Sequence, residues 1–302
     1  MAARIRLTAA AGSGEDGVKA LQIWGHRGCR GAEAPPENSL RAFAAAIAQG
    51  ADGVELDVFL TRDRQLVVFH DETLERLSDG RGAISAATRA ELHAVRLKAP
   101  TGELTEHGIP TLAEVLDLVE AWLREAADSA RAQAFVVNIE TKGRGIARHV
   151  AQEVSRRVEA GWRYANFLNS SFDLATLAEM RELLPELPVG ALFEGPLGRP
   201  SAPWDLELEE LRHCLRASAA LRPDTVNVTL PSLCLPGAVE LIRASGARPV
   251  AWTAGERPPR SLPAEEAQAL MRFLLAQEIV LITDFPGEMR ALERNYRFRA
   301  GR

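Results

Sequence analysis

The chain has 302 residues, of which 46% are hydrophobic and 25% are charged. This composition is enough to bury a large core, and the length lies within the range of one large α/β domain. The net charge of −5 argues against a nucleic-acid partner, because binding to a polyanion depends on an excess of basic residues. No apolar run approaches the roughly 18 residues of a membrane-spanning helix, so we expect a soluble protein without stable membrane association.

The three cysteines, Cys29, Cys214 and Cys234, form an odd and widely spaced set. That spacing indicates neither a disulfide framework nor a thiolate metal site, and we expect a reducing, cytoplasmic compartment. Residues 1–20 lack the apolar centre of a signal peptide and are predicted to form a loose tail. A transit peptide is the alternative for this segment, since arginines precede its first acidic residue, Glu15.

Apolar runs of strand length alternate with helix-like patterns along the rest of the chain. In the helix-like stretches, apolar residues recur at i, i+3 and i+4. Strict alternation predicts parallel strands, and continuous apolar runs such as Phe135-Val136-Val137 fit a sheet that is covered on both faces. The prediction is an eight-stranded (β/α)8 TIM barrel over residues 21–302. The predicted strands are 22–26, 53–59, 134–140, 166–170, 188–193, 224–229, 248–253 and 279–283, and the predicted helices are 39–49, 111–127, 145–160, 173–184, 206–219, 234–244, 264–276 and 287–296.

Residues 60–109 interrupt this alternation. They contain an extra strand-like run at 65–69, followed by a Gly-, Thr- and Arg-rich stretch that is too long for an ordinary βα loop. We interpret the segment as an insertion after the second strand that lies over the active face of the barrel. A second loop is predicted between Pro196 and Pro203.

Histidines and carboxylates stand where the apolar runs end. His26 ends the first strand, and His70 closes the extra strand of the insertion. Glu55 and Asp57 end the second strand, and Glu140 ends the third. In (β/α)8 barrels the C-terminal ends of the strands surround one mouth, where the chemistry takes place. We therefore expect these side chains to converge.

The three acids are candidates for metal binding. Glu55 and Asp57 are two positions apart, so in an extended strand their carboxylates point to the same side, where they repel each other unless a cation lies between them. With Glu140 added, the ligands are all oxygen atoms, which favours Mg²⁺ or Ca²⁺ over zinc. We predict one divalent cation. The alternative is that the acids are solvated or form salt bridges, such as one between Glu140 and Lys142.

The two histidines are candidates for proton transfer. Displacement at phosphorus needs one group to activate the nucleophile and another to protonate the leaving alkoxide, and imidazole titrates near neutral pH. His26 and His70 would divide these tasks, whereas a structural histidine is the alternative for either one alone. Arg27 and Lys142 are predicted to offset phosphoryl charge. Trp252 stands where it would either line the substrate mouth or belong to the barrel core.

Asn38 has two candidate roles. It precedes the predicted helix 39–49 and is a suitable N-cap residue. It also belongs to the motif Pro36-Glu37-Asn38 near the predicted mouth, where Glu37 and Asn38 would support the reacting groups. The sequence leaves these two roles open.

Together these residues resemble the glycerophosphodiester phosphodiesterase family. The family motifs HRG, PEN, ExD, HD, PTL and ExK occur in order between His26 and Lys142, and the family's insertion after the second strand matches residues 60–109. The C-terminal half matches more thinly, through Ser170-Ser171-Phe172, Trp252-Thr253 and Ile282-Thr283-Asp284-Phe285-Pro286. The resemblance covers nearly everything after the tail.

The resemblance implies hydrolysis of a small-molecule glycerophosphodiester to an alcohol and glycerol 3-phosphate. Whether water or a neighbouring substrate hydroxyl attacks first is open, as is the oligomeric state. The residue roles that it implies are acid and base for His26 and His70, metal ligation for Glu55, Asp57 and Glu140, and phosphate contacts for Arg27 and Lys142.

The chain departs from the family pattern near the mouth. The family commonly has WTxN where this chain has Trp252-Thr253-Ala254-Gly255, and this difference bears on the head group more than on the chemistry. One alternative is therefore a lysophospholipase D or sphingomyelinase D-like activity on lipids, for which Phe172, Phe193 and Trp252 would supply an apolar mouth. The other alternative is a barrel that binds phosphodiesters or partners without turnover.

Overall fold

A computed structural model of the protein describes residues 20–127, 129–195, 205–252 and 258–300. The predicted tail, apart from residue 20, lies outside these ranges, as do the loop predicted between Pro196 and Pro203 and the residues directly after Trp252. In chain order the elements are β1 (Gln22–Gly25), α1 (Leu40–Ala48), β2 (Gly53–Leu60), β3 (Leu66–Val68), α2 (Arg89–His93), β4 (Arg96–Lys98), β5 (Leu104–Gly108), α3 (Leu112–Glu125), α4 (Ala130–Gln133), β6 (Val136–Thr141), α5 (Ala147–Glu159), β7 (Phe167–Ser171), α6 (Leu174–Leu183), β8 (Val189–Leu192), α7 (Leu208–Ser218), β9 (Thr225–Thr229), α8 (Leu230–Leu233), α9 (Ala238–Ala244), β10 (Arg248–Trp252), α10 (Ala264–Ala276), β11 (Val280–Thr283) and α11 (Pro286–Ala300).

Eight parallel strands close into a barrel. Their order around it is β1, β11, β10, β9, β8, β7, β6 and β2, and β1 pairs with β2 to complete the ring. The closed ring confirms the predicted (β/α)8 TIM barrel. Each predicted strand lies within two residues of an observed one, because the uninterrupted apolar runs mark the segments that are buried between the barrel interior and the helices.

The main core lies between the barrel and the surrounding helices. Val54, Leu56 and Val58 of β2 belong to it, since alternate positions of a strand point to opposite faces of the sheet. The intervening positions face the barrel interior, where a smaller apolar cluster that includes Trp24 and Val250 fills the space. Closer to the C-terminal ends of the strands, the interior positions become polar.

The segment 60–109 has a small core of its own, which includes Phe69, Leu74 and Leu97. Its first strand, β3, runs antiparallel to β2, and β4 pairs with β5 in a two-stranded sheet. The N–H of Phe69 donates to the carbonyl of Asp57 at 2.9 Å, and the Phe69 side chain is fully buried. This anchor fixes the residue that follows, His70, beside the end of β2.

Two helix starts differ from the sequence prediction. Ser39 caps α1, because its hydroxyl accepts the N–H of Ala42, so Asn38 is not the cap. The helix predicted at 234–244 begins only at Ala238, since Pro236 and Gly237 interrupt the helical backbone and Gly237 has φ of 86°. Short helices such as α4 and α8 carry too little periodicity to be predicted.

Thr111 caps α3, at the residue where the predicted helix 111–127 begins. Its hydroxyl accepts the N–H of Glu114 at 3.2 Å, and the Glu114 carboxylate accepts the N–H of Thr111 at 2.7 Å, which completes a capping box.

Thr111→Ala should lower the free energy of unfolding by about 1 kcal/mol, because it leaves the N–H of Glu114 without its acceptor. Thr111→Ser retains the hydroxyl and should cost much less. Urea unfolding of the two variants beside the wild type measures the difference, and an equal loss in both would show that the hydroxyl does not stabilise the helix.

Candidate active site

A cavity of about 530 Å³ opens at the C-terminal ends of the barrel strands. Asp57 lies behind its wall and is fully buried, and Asn38 is 1% exposed. Glu37 lies in the loop between β1 and α1, where it binds the guanidinium of Arg27. The predicted site residues that line the cavity directly are His26, Arg27, Glu55, His70, Glu140, Lys142 and Trp252.

Three carboxylates converge at the side of this cavity. One oxygen from each of Glu55, Asp57 and Glu140 lies within 4.8 Å of the others, so the three could hold one metal ion. Pairing of Asp57 with Glu140 in adjacent parallel strands produces this proximity. Burial, together with the charges of Asp57 and Glu140, raises the pKa of Glu55 well above its ordinary value. Burial also raises the pKa of Glu140, although Lys142 opposes the shift.

Two cationic side chains and one amide side chain surround the carboxylate of Asp57. Lys142 Nζ lies 3.0 Å from Asp57 Oδ1 and 2.6 Å from Glu140 Oε1. Asn38 Nδ2 donates to Asp57 Oδ2 at 2.8 Å, and Arg27 Nε lies 3.3 Å from the same oxygen. Burial would raise the pKa of Asp57, but Lys142 and Arg27 hold it well below its ordinary value. Glu140 and Lys142 therefore form the salt bridge that was the alternative to a metal site. The three carboxylates nevertheless lie close enough together to hold one ion.

The loop between β1 and α1 delivers Arg27 and Asn38 to this cluster through an unusual backbone. Both residues are in the left-handed region, with φ of 52° and 59°, and the N–H of Asn38 donates to the carbonyl of Arg27 at 3.0 Å. Gly28 also has a positive φ, and a Cβ there would lie 2.5 Å from the backbone of Ala42. The turn brings the N–H of Arg27 to Glu55 Oε2 at 3.0 Å, and left-handed backbone of this kind is typical of functional sites.

His26 is oriented by a carboxylate from the last strand of the barrel. Its Nδ1 lies 2.8 Å from Asp284 Oδ1, and its Nε2 lies 3.9 Å from Glu55 Oε2. Since a carboxylate accepts and does not donate, the proton is on Nδ1 and the Nε2 lone pair is free. Burial and the neighbouring Arg27 lower the pKa of His26, despite the contribution of Asp284.

His70 has the same kind of support from its own chain neighbour. Its Nδ1 lies 2.6 Å from Asp71 Oδ1, and Arg76 Nε donates to the other oxygen of Asp71 at 2.6 Å. Burial lowers the pKa of His70 to about 4, although Asp57 opposes the shift. The surroundings therefore favour the neutral form of both imidazoles, each of which has its Nδ1 bonded to a carboxylate.

Several residues that line the cavity or bond to its lining were not predicted as site residues. Asp284 stands directly after β11, so the same inspection of strand ends that located His26 would have found it. Arg30 and Arg76 lie in irregular segments, where no periodicity indicates which way a side chain points. Asn138 and Ser170 lie within apolar strands, and they become visible only when the strand register assigns them to the barrel interior.

The mouth of the cavity is partly aromatic. Phe172 is 41% exposed, and its ring meets that of Trp252 edge to face with 6.4 Å between the ring centroids. Phe193 was also predicted for the mouth, and this prediction is wrong, because Phe193 is buried in the main core against the helices. The preceding residue, Leu192, lines the cavity, and successive residues of an extended chain point to opposite sides. Within the described ranges, no helix combines the length and the apolar character needed to cross a membrane.

The pKa of His70 predicts a pH dependence of stability. Because the folded-state pKa is about 4 and the ordinary value is 6.5, the unfolded chain binds more protons than the folded chain between these pH values. The contribution of His70 to stability is complete above pH 6.5, and it should be lost as the pH falls towards 4.

In a chelating buffer, the unfolding free energy of His70→Gln should therefore depend less on pH in that window than the wild-type value. His213→Gln, at an exposed position of α7, serves as the matched control and should follow the wild type. Superimposable curves for all three proteins would contradict the neutral, buried state of His70.

The closed parallel barrel and the buried carboxylates, histidines and cations at its mouth define an enzyme that acts on phosphodiesters. Comparison with known proteins agrees, since residues 26–288 match the Glycerophosphoryl diester phosphodiesterase family. The chain belongs to this family.

Relatives of known name or structure extend this match. The chain is 32% identical over 223 residues to a glycerophosphodiester phosphodiesterase of Caldanaerobacter subterraneus subsp. tengcongensis, with 72% of this chain and 80% of that protein covered. It is similar to the crystal structure of a glycerophosphodiester phosphodiesterase from Thermotoga maritima, with 29% identity, a TM-score of 0.60, and 91% and 99% of the two chains covered. It is also similar to an Oleispira antarctica phosphodiesterase in complex with the product sn-glycerol-3-phosphate, with 25% identity, a TM-score of 0.65, and 90% and 96% covered.

Proposed function

We propose that the protein hydrolyses glycerophosphodiesters to an alcohol and glycerol 3-phosphate with the help of one divalent cation. The observation that carries this proposal is the convergence of two carboxylate-oriented histidines and three carboxylates, two of them buried, on one cavity. The product bound to the Oleispira relative supports the same substrate class. Residues 21–302 would act as one catalytic unit, in which the insertion 60–109 supplies His70.

The carboxylate cluster fits a metal ion. Glu55 Oε1 is buried and has no hydrogen-bond partner within the described part of the chain, although Glu55 Oε2 accepts the N–H of Arg27. A buried carboxylate oxygen in this state is suited to a cation, and a set of oxygen donors is typical of Mg²⁺ or Ca²⁺ sites. Glu55, Asp57 and Glu140 would hold the ion, which when bound supplies positive charge beside the phosphoryl oxygens.

Arg27 and Lys142 would bind the phosphoryl group from the protein side. Each is already held in place by buried carboxylates, so neither side chain has to lose much conformational freedom when substrate binds. Asp57 and Glu140 raise the pKa of Lys142, despite its burial, and keep it charged. Fixed cations of this kind stabilise the charge that develops on the phosphoryl oxygens.

The two histidines would transfer the protons. A neutral imidazole with its proton on Nδ1 can accept a proton at Nε2 from the attacking hydroxyl. The other imidazole, after it takes up a proton from solvent, can donate that proton to the oxygen of the leaving alcohol, and the first imidazole returns its proton to solvent. Asp284 and Asp71 hold the rings in the required tautomer. Attack by water and attack by a neighbouring substrate hydroxyl both require these two transfers.

His26→Ala and His70→Ala should each lower kcat with glycerophosphocholine by about a hundredfold to ten-thousandfold, because each removes a proton-transfer group. Binding of glycerol 3-phosphate should persist in both variants, since the cations and carboxylates remain. Release of glycerol 3-phosphate is the measurement, and His213→Ala is the control that should retain wild-type turnover. A rate within a few fold of wild type for either active-site variant would remove that histidine from the mechanism.

Chelation should stop the release of glycerol 3-phosphate from glycerophosphocholine, and addition of Mg²⁺ or Ca²⁺ should restore it. Glu55→Gln should weaken binding of that ion in calorimetry by about tenfold or more, because it removes a charged ligand. Glu265→Gln, at an exposed position of α10, is the matched control. Undiminished activity in chelator would show that Arg27 and Lys142 suffice without a metal.

A further inference from the structure

Three polar side chains of the active-site cavity have no hydrogen-bond partner for their inward atoms within the part of the chain that the structure describes. Asn138 is 1% exposed, and both its Nδ2 and its Oδ1 are unbonded. Ser170 is fully buried with its Oγ unbonded, and the buried indole Nε1 of Trp252 is in the same state. All three residues line the cavity that contains His26 and Glu55. We call Asn138 and Ser170 the polar floor, whereas Trp252 belongs to the mouth.

The neighbouring serine shows that an unbonded hydroxyl is not a general property of this strand. Ser171 Oγ donates to the carbonyl of Thr141 at 2.8 Å and accepts the N–H of Asp173 at 3.2 Å. Ser170, one position earlier, points to the opposite face of the sheet and into the cavity. Buried polar groups are nearly always bonded, so an unbonded set around one cavity indicates that a ligand or water completes it.

The position of the floor relates it to the proposed phosphoryl site. Asn138 pairs in register with Glu55, and Ser170 pairs with Glu140. The floor therefore adjoins two of the carboxylates that would hold the metal ion. A phosphoryl group bound by Lys142 and by the cation that these carboxylates would hold would place one of its two ester arms against Asn138 and Ser170.

The chemistry of the floor differs from that of the phosphoryl site. It carries no charge, and it offers a donor in Asn138 Nδ2, an acceptor in Asn138 Oδ1 and a hydroxyl in Ser170 that both donates and accepts, while Trp252 Nε1 is a further donor at the mouth. Hydroxyl groups match this mixture, because each of them also donates and accepts. Phosphate does not match it, because it only accepts at neutral pH and favours cations.

We propose that Asn138 and Ser170 bind the free hydroxyl groups of the glycerol arm and thereby select unacylated glycerophosphodiesters over lysophospholipids. The proposal rests on the proposed function and names its substrate specificity. An acyl ester removes one of the two donating hydroxyls and adds an apolar chain, so part of the bonding capacity of Asn138 and Ser170 stays unused when a lysophospholipid binds. A site that is built to bond a hydroxyl rejects analogues without it for this reason.

The test compares glycerophosphocholine with propylphosphocholine, which has the same phosphodiester and head group but lacks both hydroxyls, and with lysophosphatidylcholine. Ser170→Ala should lower kcat/KM for glycerophosphocholine roughly threefold to tenfold, the effect of one lost hydrogen bond. Asn138→Leu should lower it further, because it removes two bonding atoms. If water is the attacking group, neither change should affect propylphosphocholine by more than about twofold, so the preference of the wild type for the diol should shrink in both variants. If a substrate hydroxyl attacks, propylphosphocholine is not cleaved and the binding comparison below decides.

Ser171→Ala is the matched control. It removes a bonded hydroxyl that faces away from the cavity, so it should lower the unfolding free energy and leave the ratio of the two kcat/KM values unchanged. Ser170→Ala should show the opposite behaviour, with a lower ratio and an unfolding free energy that is equal to or higher than that of the wild type, because it removes a buried hydroxyl that has no partner.

Binding measurements separate a failure of this proposal from a failure of the proposed function. Calorimetry with glycerol 3-phosphate and propyl phosphate should show a wild-type preference for the first that is lost in Ser170→Ala and Asn138→Leu. If the wild type binds with this preference but hydrolyses no phosphodiester, the hydroxyl site stands and the proposed reaction is wrong. If glycerophosphocholine is hydrolysed and both variants retain the wild-type ratio, or if lysophosphatidylcholine is the better substrate, the floor holds water only and the proposal is overturned.

Discussion

The constraint on which the site depends is the burial of Glu55 and Asp57, with the partly buried Glu140 beside them, at one end of a closed barrel. A buried carboxylate is costly unless cations and donors compensate it, and Asp57 receives Lys142, Arg27 and Asn38 within 3.3 Å. The left-handed turn that begins at Arg27 is explained by this requirement, because it brings a guanidinium and an amide to the same oxygen. Glu55 retains one oxygen without a protein partner within the described ranges, which is where a cation would complete the balance.

The two histidines come from different parts of the chain but have equivalent surroundings. His26 follows the first barrel strand and depends on Asp284 at the end of the last, which is its spatial neighbour because the barrel closes. His70 belongs to the inserted segment, whose own apolar core keeps it rigid and whose Phe69 is bonded to the backbone of Asp57. Closure of the sheet and packing of the insertion thus position the two histidines for which we propose proton transfer.

The cavity has two chemically different parts. Cations and carboxylates surround the proposed phosphoryl site, whereas Asn138 and Ser170 below it are neutral and polar. A glycerophosphodiester has the same division between an anionic phosphate and a neutral diol. The exposed Phe172 at the mouth is the feature that a lipid-directed enzyme would use. In the lipid alternative, the aromatic mouth would determine the substrate specificity. In the small-molecule proposal, the polar floor would determine it.

Much of this architecture could be predicted from the sequence, because apolar runs of strand length repeat eight times and polar residues stand at their ends. Those local signals located all eight strands and the positions of His26, Glu55 and Glu140. They did not distinguish Ser39 from Asn38 as the cap of α1, nor show that Phe193 faces the helices, because both outcomes depend on contacts between distant segments. The sequence by itself determined the barrel, its strand ends and the residue types at its mouth. The tertiary structure alone decided which side chains meet, since the partners of His26 and Asp57 depend on how the sheet closes and on the register between its strands.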